Sequence, residues 1–260
     1  MDKKSLVNIV IPIHNRPIHT LQTLNSLRVN TDPQLYSLHI VDDGSDSTTM
    51  DLVIAFYNEY KDRLNMTYRR NDKAMSPGWS RNFVCDQITN RNTRAEFLYH
   101  SDNDVYFTPD WLRKLLSVYE RVESSNNVRL LGGGCHPYLQ DKYSVNVEFR
   151  APNAAILQCA VGFKDAVSGY SQLMRWSTWD IYGPFDETMK DAPRKIMGSE
   201  DWAFCQKMIQ GGYQVASIRP EVVIHCGKTN TYGDAATGSE TFLMNNRVIL
   251  DYEGQPIFVE

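Results

Sequence analysis

The stretch that decides the fold reads Phe97-Leu98-Tyr99-His100-Ser101-Asp102-Asn103-Asp104-Val105-Tyr106-Phe107-Thr108-Pro109-Asp110-Trp111. It predicts a strand that ends in two carboxylates, followed by a helix with Thr108 as N-cap and Pro109 in its first turn. Asp102 and Asp104 repel each other and gain nothing from packing, so the pattern indicates a site for a cation or a hydroxyl-rich ligand. Asp and Asn are also common turn formers, so the rest of the chain must decide between a site and a turn.

Composition limits the classes of protein to consider. The 260 residues, 42% of them hydrophobic, can bury a sizeable core in one large domain or two packed halves. The net charge is −4 and no long run of Lys or Arg occurs, so we expect no nucleic-acid partner. The five cysteines are scattered without a Cys-x-x-Cys pair, which favours a reducing compartment.

The beginning of the sequence predicts neither a signal peptide nor a transmembrane segment, because its first apolar run has only the length of a strand. We therefore expect a cytoplasmic protein. It could still meet lipid-linked substrates as a peripheral protein at the inner membrane face.

The first half of the chain alternates strand and helix patterns. Strands are predicted at residues 6–13, 38–41 and 66–70, and each is followed by a helical pattern. This rhythm predicts a parallel sheet with helices on both faces. Ligands of such sheets lie beyond the carboxyl ends of the strands.

Polar residues follow the first two of these strands and the strand of the opening stretch. His14, Asp42, Asp43, Asp102 and Asp104 should therefore face one crevice. No Gly-x-Gly-x-x-Gly follows the first strand and no Gly-x-x-x-x-Gly-Lys-Ser/Thr occurs, which argues against a dinucleotide or a triphosphate gripped by a P-loop. A metal ion on Asp104 that neutralises a diphosphate is the favoured alternative.

The second half is less regular. Strands predicted at 128–131, 145–149, 156–161 and 171–176 suggest a partly antiparallel extension around an acceptor cleft.

A later helix is predicted to start at Ser199 as N-cap and to end at Gly211-Gly212, with Glu200 and Asp201 in its first turn. Acids there either complement the helix dipole or hold an ionised carboxylate as a general base, and the local sequence favours the dipole role.

The end of the chain offers one candidate ligand and two loosely defined segments. A short apolar strand ends in His225, which by local sequence is more often structural than a ligand. Residues 228–239 are rich in small polar residues and predict a flap. Residues 247–252 and 257–259 predict a closing hairpin.

Seven motifs, taken in order, resemble glycosyltransferase family 2, of the GT-A fold. They are Val10-Ile11-Pro12-Ile13-His14-Asn15-Arg16, Val41-Asp42-Asp43-Gly44-Ser45, Ser80-Arg81-Asn82, Asp102-Asn103-Asp104, Gly183-Pro184-Phe185-Asp186-Glu187, Glu200-Asp201-Trp202 and Val223-Ile224-His225. The resemblance spans about residues 5 to 227.

It implies an α/β fold: a Rossmann-like, mostly parallel central sheet with helices on both faces and a smaller, partly antiparallel acceptor-side extension. It also implies one domain over 1–260, with a nucleotide-sugar-binding half (about 1–110), an acceptor and catalytic half (about 111–227), and a flap with a C-terminal hairpin (about 228–260).

The resemblance also implies residue roles. The nucleotide-sugar site would comprise Pro12, His14, Asp43, Arg81 and Asp102. The Mn²⁺ or Mg²⁺ ligands would be Asp104, Asp102 and His225. Asp201, beside Glu200, would be the catalytic base of an inverting transfer. The resemblance thus favours functional roles for Asp201 and His225, where the local sequence alone favours structural ones. The donor would be a UDP- or GDP-sugar, and the acceptor a hydroxyl of a glycan, a lipid-linked molecule or a small molecule.

Three departures from the family pattern and three alternatives remain. Ser101 and His100 are unusually polar for the strand before the Asp-x-Asp. Val105 replaces an acidic residue that often follows the Asp-x-Asp, and Pro184 replaces the second Gly of Gly-Gly-Phe-Asp-Glu, which leaves the acceptor open. A retaining GT-A enzyme would give the opposite anomer. A nucleotidyltransferase would usually carry a glycine-rich phosphate loop, where this chain has His14-Asn15-Arg16-Pro17. A non-catalytic sugar-nucleotide or glycan-binding module would bind without turnover.

Overall fold

The computed structural model describes residues 5–135, 139–150, 156–188, 200–226, 249–250 and 256–257. The strands are β1 (Val7–Ile13), β2 (Tyr36–Asp43), β3 (Met66–Asn71), β4 (Phe97–Ser101), β5 (Val105–Phe107), β6 (Val128–Gly132), β7 (Tyr143–Arg150), β8 (Ile156–Lys164), β9 (Ser171–Arg175), β10 (Gln214–Arg219), β11 (Val223–His225), β12 (Ile249–Leu250) and β13 (Pro256–Ile257). The helices are α1 (Pro17–Asn30), α2 (Ser47–Tyr60), α3 (Pro77–Asn90), α4 (Trp111–Asn126), α5 (Trp176–Tyr182) and α6 (Glu200–Gln210).

A nine-stranded sheet in the order β3-β2-β1-β4-β9-β6-β10-β8-β7 forms the centre of the molecule. Its first four strands run parallel. Strands β1 and β2 are buried at every position, because helices cover both faces of the sheet. This confirms the predicted α/β class with a central parallel sheet.

The second half of the sheet is mixed. β9 runs antiparallel to both β4 and β6, β10 is parallel to β6, and β8 and β7 continue as antiparallel strands. The expectation of a partly antiparallel extension is therefore confirmed.

Two apolar cores lie on the two faces of the sheet. On β1, Ile9 and Ile11 belong to one core, and Val10 to the other, because successive strand residues point to opposite faces. The first core includes residues of α1, α2 and α4, and the second includes residues of α3, α5 and α6. Within the described residues, every helix is too short or too polar to span a bilayer.

Several predicted element boundaries are wrong. Helix α4 begins at Trp111 with Asp110 as N-cap in the left-handed region, because the hydroxyl of Thr108 instead donates to the carbonyl oxygen of Val222 at 2.9 Å. The strand predicted to reach Trp176 ends one residue earlier, and Trp176 starts α5.

Some predictions fall outside the described residues. They are the N-cap at Ser199 and the flap at 228–239. Of the expected closing hairpin, the described strands β12 and β13 pair antiparallel.

Candidate active site

The crevice that holds the candidate site opens where β1 and β4 separate. Their ladder ends at Val10 and His100, while β1 continues beside β2 as far as Ile13. Pro12 lies in the part of β1 that no longer pairs with β4, where its missing N–H leaves no hydrogen bond to that strand unmade. Because the strand order reverses between β1 and β4, this is the switch point at which open α/β sheets bind ligands.

Asp104 lies in this crevice between two cationic side chains. Arg16 donates to its Oδ2, and the Nε2 of His225 lies 3.4 Å from its Oδ1. His225 reaches this position because β11 pairs with β5, which aligns it with Val105, and because the Cys226 N–H donates to the Asp104 carbonyl at 2.7 Å.

The same contacts set the protonation of the pair. Burial opposes ionisation of Asp104, but His225 and Arg16 outweigh it, so the pKa of Asp104 lies well below its usual range. Burial likewise opposes protonation of His225, and Asp104 outweighs it, so the pKa of His225 is raised.

The residues around Asp104 fit a divalent metal. Among the described residues, the buried Oδ1 of Asp104 has no well-formed hydrogen bond. Carboxylate oxygens suit Mn²⁺ and Mg²⁺, and imidazole is a ligand of divalent transition metals. No cluster of three or more His, Cys, Asp or Glu ligands occurs in the described parts of the chain. The remaining positions on a metal would thus fall to phosphate oxygens and water, as is usual for Mg²⁺ at nucleotide sites.

Arg81 is the centre of a second charged cluster. Its side chain is only 3% exposed, and it donates to the carboxylate of Asp102, to Glu200 at 3.4 Å, and to the carbonyl oxygens of Ser101 and Gly169, each at 3.3 Å. The Asp102 side chain is 34% exposed. Arg81 therefore holds Asp102 from the buried side of the cluster, and the Arg81 guanidinium is itself buried.

Glu200 connects helix α6 to the start of α3. A Cβ atom at Gly78 would lie 2.7 Å from Oε2 of Glu200, so only glycine lets the carboxylate approach this closely. Burial is the main cause that raises the pKa of Glu200 to about 7; Arg81 opposes it, while Asp201 and Asp102 add to it.

Asp201 is held beside this cluster by the loop that leads into β9. Its Oδ2 accepts the Gly169 N–H at 2.9 Å, and its Oδ1 accepts the Trp202 N–H at 2.9 Å. A Cβ at Gly169 would lie 3.5 Å from Asp201 and 3.6 Å from Arg81, so the two side chains flank the same backbone. The structure thus brings Asp201, Glu200, Arg81 and Asp102 together.

Asp43 is buried and its carboxylate is already occupied. It accepts hydrogen bonds from Asn71 at 2.8 Å, from the Met75 N–H at 3.0 Å and from the Ser76 N–H at 3.1 Å. These contacts hold the loop between β3 and α3 at the crevice. His14 lies next to it, exposed, with Nδ1 2.9 Å from the Asp43 carbonyl oxygen.

Asp42 does not join the crevice, so its predicted placement is wrong. It is fully buried and accepts hydrogen bonds from Arg70 and from the Ser45 N–H. The reason is strand geometry: neighbouring residues on β2 point to opposite sides, so only one of the two aspartates can face the crevice.

The sequence did not single out Arg16 or His19, which the structure adds to the surroundings of Asp104. His19 on α1 is buried, which lowers its pKa, and it interacts electrostatically with Asp104, Arg16 and His225. The position of Arg16 directly after His14-Asn15, in the loop that ends β1, was the available signal. For His19 we find none, since it falls within a helical pattern.

In the comparison with known proteins, residues 8–130 match the family model named "Glycosyl transferase family 2". No curated protein matches the sequence. Three solved structures illustrate the similarity in fold, all with GT-A architecture.

The mannosyltransferase PcManGT from Pyrobaculum calidifontis, in complex with GDP-Man and Mn²⁺, has a TM-score of 0.61 at 12% identity; the match covers 92% of this chain and 63% of that one. S. aureus TarS 1-349 with UDP-GlcNAc has a TM-score of 0.58 at 18% identity, with the same two coverages of 92% and 63%. GalNAc-T7 with UDP, GalNAc and Mn²⁺ has a TM-score of 0.59 at 15% identity and covers 84% of this chain and 43% of that one. This chain therefore spans less than two thirds of the length of each of these proteins.

Proposed function

Because residues 8–130 belong to glycosyl transferase family 2, we propose that this chain transfers a sugar from a nucleoside-diphosphate sugar to an acceptor hydroxyl. One observation carries the proposal: the Asp104–His225 pair and the cluster of Arg81, Glu200 and Asp201 lie at one crevice, although they come from opposite ends of the chain. Grouped carboxylates with shifted pKa values, of which Asp104 lies between two cationic groups and Glu200 beside other acids, are typical of functional sites.

The donor would be a UDP- or GDP-sugar. The similar structures contain GDP-Man and UDP-GlcNAc, which supports a donor with either a guanine or a uracil base. We assign the base to the exposed ring of His14, beside Pro12, and to the loop that Asp43 holds through Met75 and Ser76. In this arrangement Asp43 shapes the pocket through the loop as well as facing the base.

The diphosphate would lie at Asp104. Asp104 and His225, with the partly exposed Asp102 beside them, are the residues that would hold Mn²⁺ or Mg²⁺. A bound divalent ion would supply charge neutralisation for the departing nucleoside diphosphate. Mn²⁺ in two of the similar structures supports this choice.

Asp201 would act as the general base of a single displacement. Its carboxylate takes the proton of the acceptor hydroxyl, whose oxygen attacks the anomeric carbon. The bond from that carbon to the diphosphate oxygen breaks, the nucleoside diphosphate leaves, and the configuration at the carbon is inverted. The Gly169 N–H holds one carboxylate oxygen in place, so the base needs no reorientation before proton transfer. Arg81 holds Asp102 and Glu200 in position from the buried side of the cluster.

We also propose a domain organisation and a cellular location. Residues 1–260 would act as one domain whose second half, about 111–227, binds the acceptor, be it a glycan, a lipid-linked molecule or a small molecule. The site would work in the cytoplasm, including at the inner membrane face for a lipid-linked acceptor.

Thermal stabilisation by nucleoside diphosphates and sugar nucleotides, each with and without Mn²⁺, tests the donor site. A ligand at 100 times its Kd adds about 2.7 kcal/mol to the free energy of unfolding, so the shift is measurable even for a ligand of modest affinity. We expect a metal-dependent shift that is selective for one base and is lost in Asp104→Ala. No shift with any ligand would refute the proposal.

Asp201→Asn separates binding from turnover. We expect the variant to keep the donor-induced shift and to lose transfer by a factor of about 100 or more, because proton abstraction contributes about 10²–10⁴. A normal turnover rate in Asp201→Asn would remove it as the base. Retention of the donor's anomeric configuration in the product would favour the retaining mechanism, and binding without turnover in the wild type would favour a binding module.

A further inference from the structure

Arg16 occupies an unusual backbone position at the start of α1. It is the N-cap of that helix with φ 62° and ψ 60°, and Asn15 before it has φ 55°. Two successive residues other than glycine in the left-handed region are unfavourable, because their Cβ atoms approach the following carbonyl oxygen. Such backbone persists only where the surroundings over-determine it.

The surroundings of Asn15 do over-determine it. The Asn15 N–H donates to the Ser45 hydroxyl at 3.0 Å, its Oδ1 accepts the Asp46 N–H at 2.8 Å, and its carbonyl oxygen accepts from Asn103 at 3.0 Å. Ser45 and Asp46 follow β2 and Asn103 lies between the two aspartates of the Asp-x-Asp. The loop that carries Arg16 is therefore clamped by both polar segments of the candidate donor site.

This clamped loop directs Arg16 at the candidate metal ligand. Its guanidinium donates to Oδ2 of Asp104, while His225 faces Oδ1. The Arg16 side chain is 17% exposed, in contrast to 3% for Arg81, so it borders the crevice. A guanidinium on Oδ2 limits how a metal can approach the same carboxylate, and its like charge opposes the metal.

We propose that Arg16 is an exchangeable cation of the donor site, which neutralises Asp104 in the absence of metal and binds the donor's diphosphate once a metal has taken its place on Asp104. The inference rests on the proposed function. The chemistry is apt, because a guanidinium pairs with phosphate through two parallel N–H groups, as it does with a carboxylate. Arg16 would thus stay paired with an anion in both states.

Binding of Mn²⁺ alone, followed by the electron paramagnetic resonance of free Mn²⁺, tests the first half. We expect Arg16→Gln to bind Mn²⁺ about tenfold more tightly than the wild type, since it removes a competitor for a charged oxygen. Arg16→Lys, which keeps the charge, should stay near the wild type, and Asp104→Ala should lose binding. Arg113→Gln is the matched control, because it removes the same charge from an exposed pair with Asp32.

Binding of UDP and GDP with and without metal, measured by calorimetry, tests the second half. In the presence of saturating Mn²⁺, Arg16→Gln should bind the nucleoside diphosphate that the wild type prefers about tenfold more weakly than the wild type does. The affinity for the corresponding uncharged nucleoside should not change. The nucleoside arm shows that the base pocket is intact, so a folding defect would not imitate the expected result.

The outcomes separate this inference from the function on which it rests. If the wild type binds metal and diphosphate through Asp104 but Arg16→Gln changes neither affinity, the inference on Arg16 is overturned and the proposed function stands. Weaker Mn²⁺ binding in Arg16→Gln would also overturn it, because Arg16 would then support the metal. If the wild type binds neither Mn²⁺ nor a nucleoside diphosphate, both proposals fail.

Discussion

Replacing Glu200 by glutamine should stabilise the protein at alkaline pH and leave its stability unchanged at acid pH. Glutamine keeps the shape of the side chain but resembles the neutral acid. The wild-type carboxylate is 15% exposed, lies against Arg81 and is raised in pKa from 4.5 to about 7, chiefly by burial. The native state therefore holds a proton that the unfolded chain releases.

The sign and size follow from proton linkage. Because the pKa of Glu200 is higher in the folded than in the unfolded protein, its contribution is fully present below pH 4.5 and is lost as the pH rises through about 7. At about 1.4 kcal/mol for each tenfold change, this loss amounts to about 3 kcal/mol. The pKa of Asp104 is lowered in the folded protein, so its contribution to the free energy of unfolding has the opposite pH dependence. That contribution is lost only when the pH falls below the pKa of an aspartate in the unfolded chain, about 4.

Denaturant unfolding of wild type and Glu200→Gln at pH 4.5, 6, 7 and 8 gives the required difference in free energy. Comparing the two proteins at each pH cancels the contributions of buried histidines such as His39, whose pKa is lowered to about 4 by burial. We expect the variant's advantage to grow from near zero at pH 4.5 to about 3 kcal/mol at pH 8. Glu59→Gln, at an exposed position of α2, should stay within about 0.5 kcal/mol of the wild type throughout. A difference for Glu200→Gln that does not change with pH would refute the reasoning.

Two further predictions concern stability. Arg81→Met should cost about 3–5 kcal/mol of unfolding free energy, because it leaves Asp102 and Glu200 without their buried cation; a cost below about 1 kcal/mol in denaturant unfolding would contradict this. Gly44→Ala should cost at least about 2 kcal/mol, since φ is +68° and the new Cβ would lie 2.5 Å from the backbone nitrogen of Ala74. Gly212→Ala is its control: φ is +83° but nothing lies within 4 Å, so only about 1 kcal/mol should be lost, and equal losses for the two would show that the loop gives way.

The buried parallel strands were the part of the fold that the sequence predicted best. Their apolar runs depend on burial between two layers of helices, and this leaves a local signal. β5 was missed because its three residues gain their structure from pairing with β11, more than a hundred residues later in the chain. The N-cap expected at Thr108 failed for the same reason, since the Val222 carbonyl oxygen takes its hydroxyl.

The sequence singled out several residues that the structure brings together at the candidate site, but not the residues that hold them in place. Asp104, Asp201 and His225 stand at the ends of elements, where a chain pattern is visible. Arg16 was not visible, because its direction depends on a clamped left-handed backbone. Nor was the contact between Glu200 and Gly78, because it joins two helices that are adjacent only in the folded sheet.

The position of β9 limits where the chain can be cut to make fragments or chimeras. The segment that matches the family model ends at residue 130, yet β4 pairs on one side with β9, which lies beyond it. A fragment cut at that point would leave the fully buried strand Phe97–Ser101 with an open edge, a template for association with other chains. A chimera that takes its first half from this chain and its second half from a relative must therefore inherit β9 together with β4.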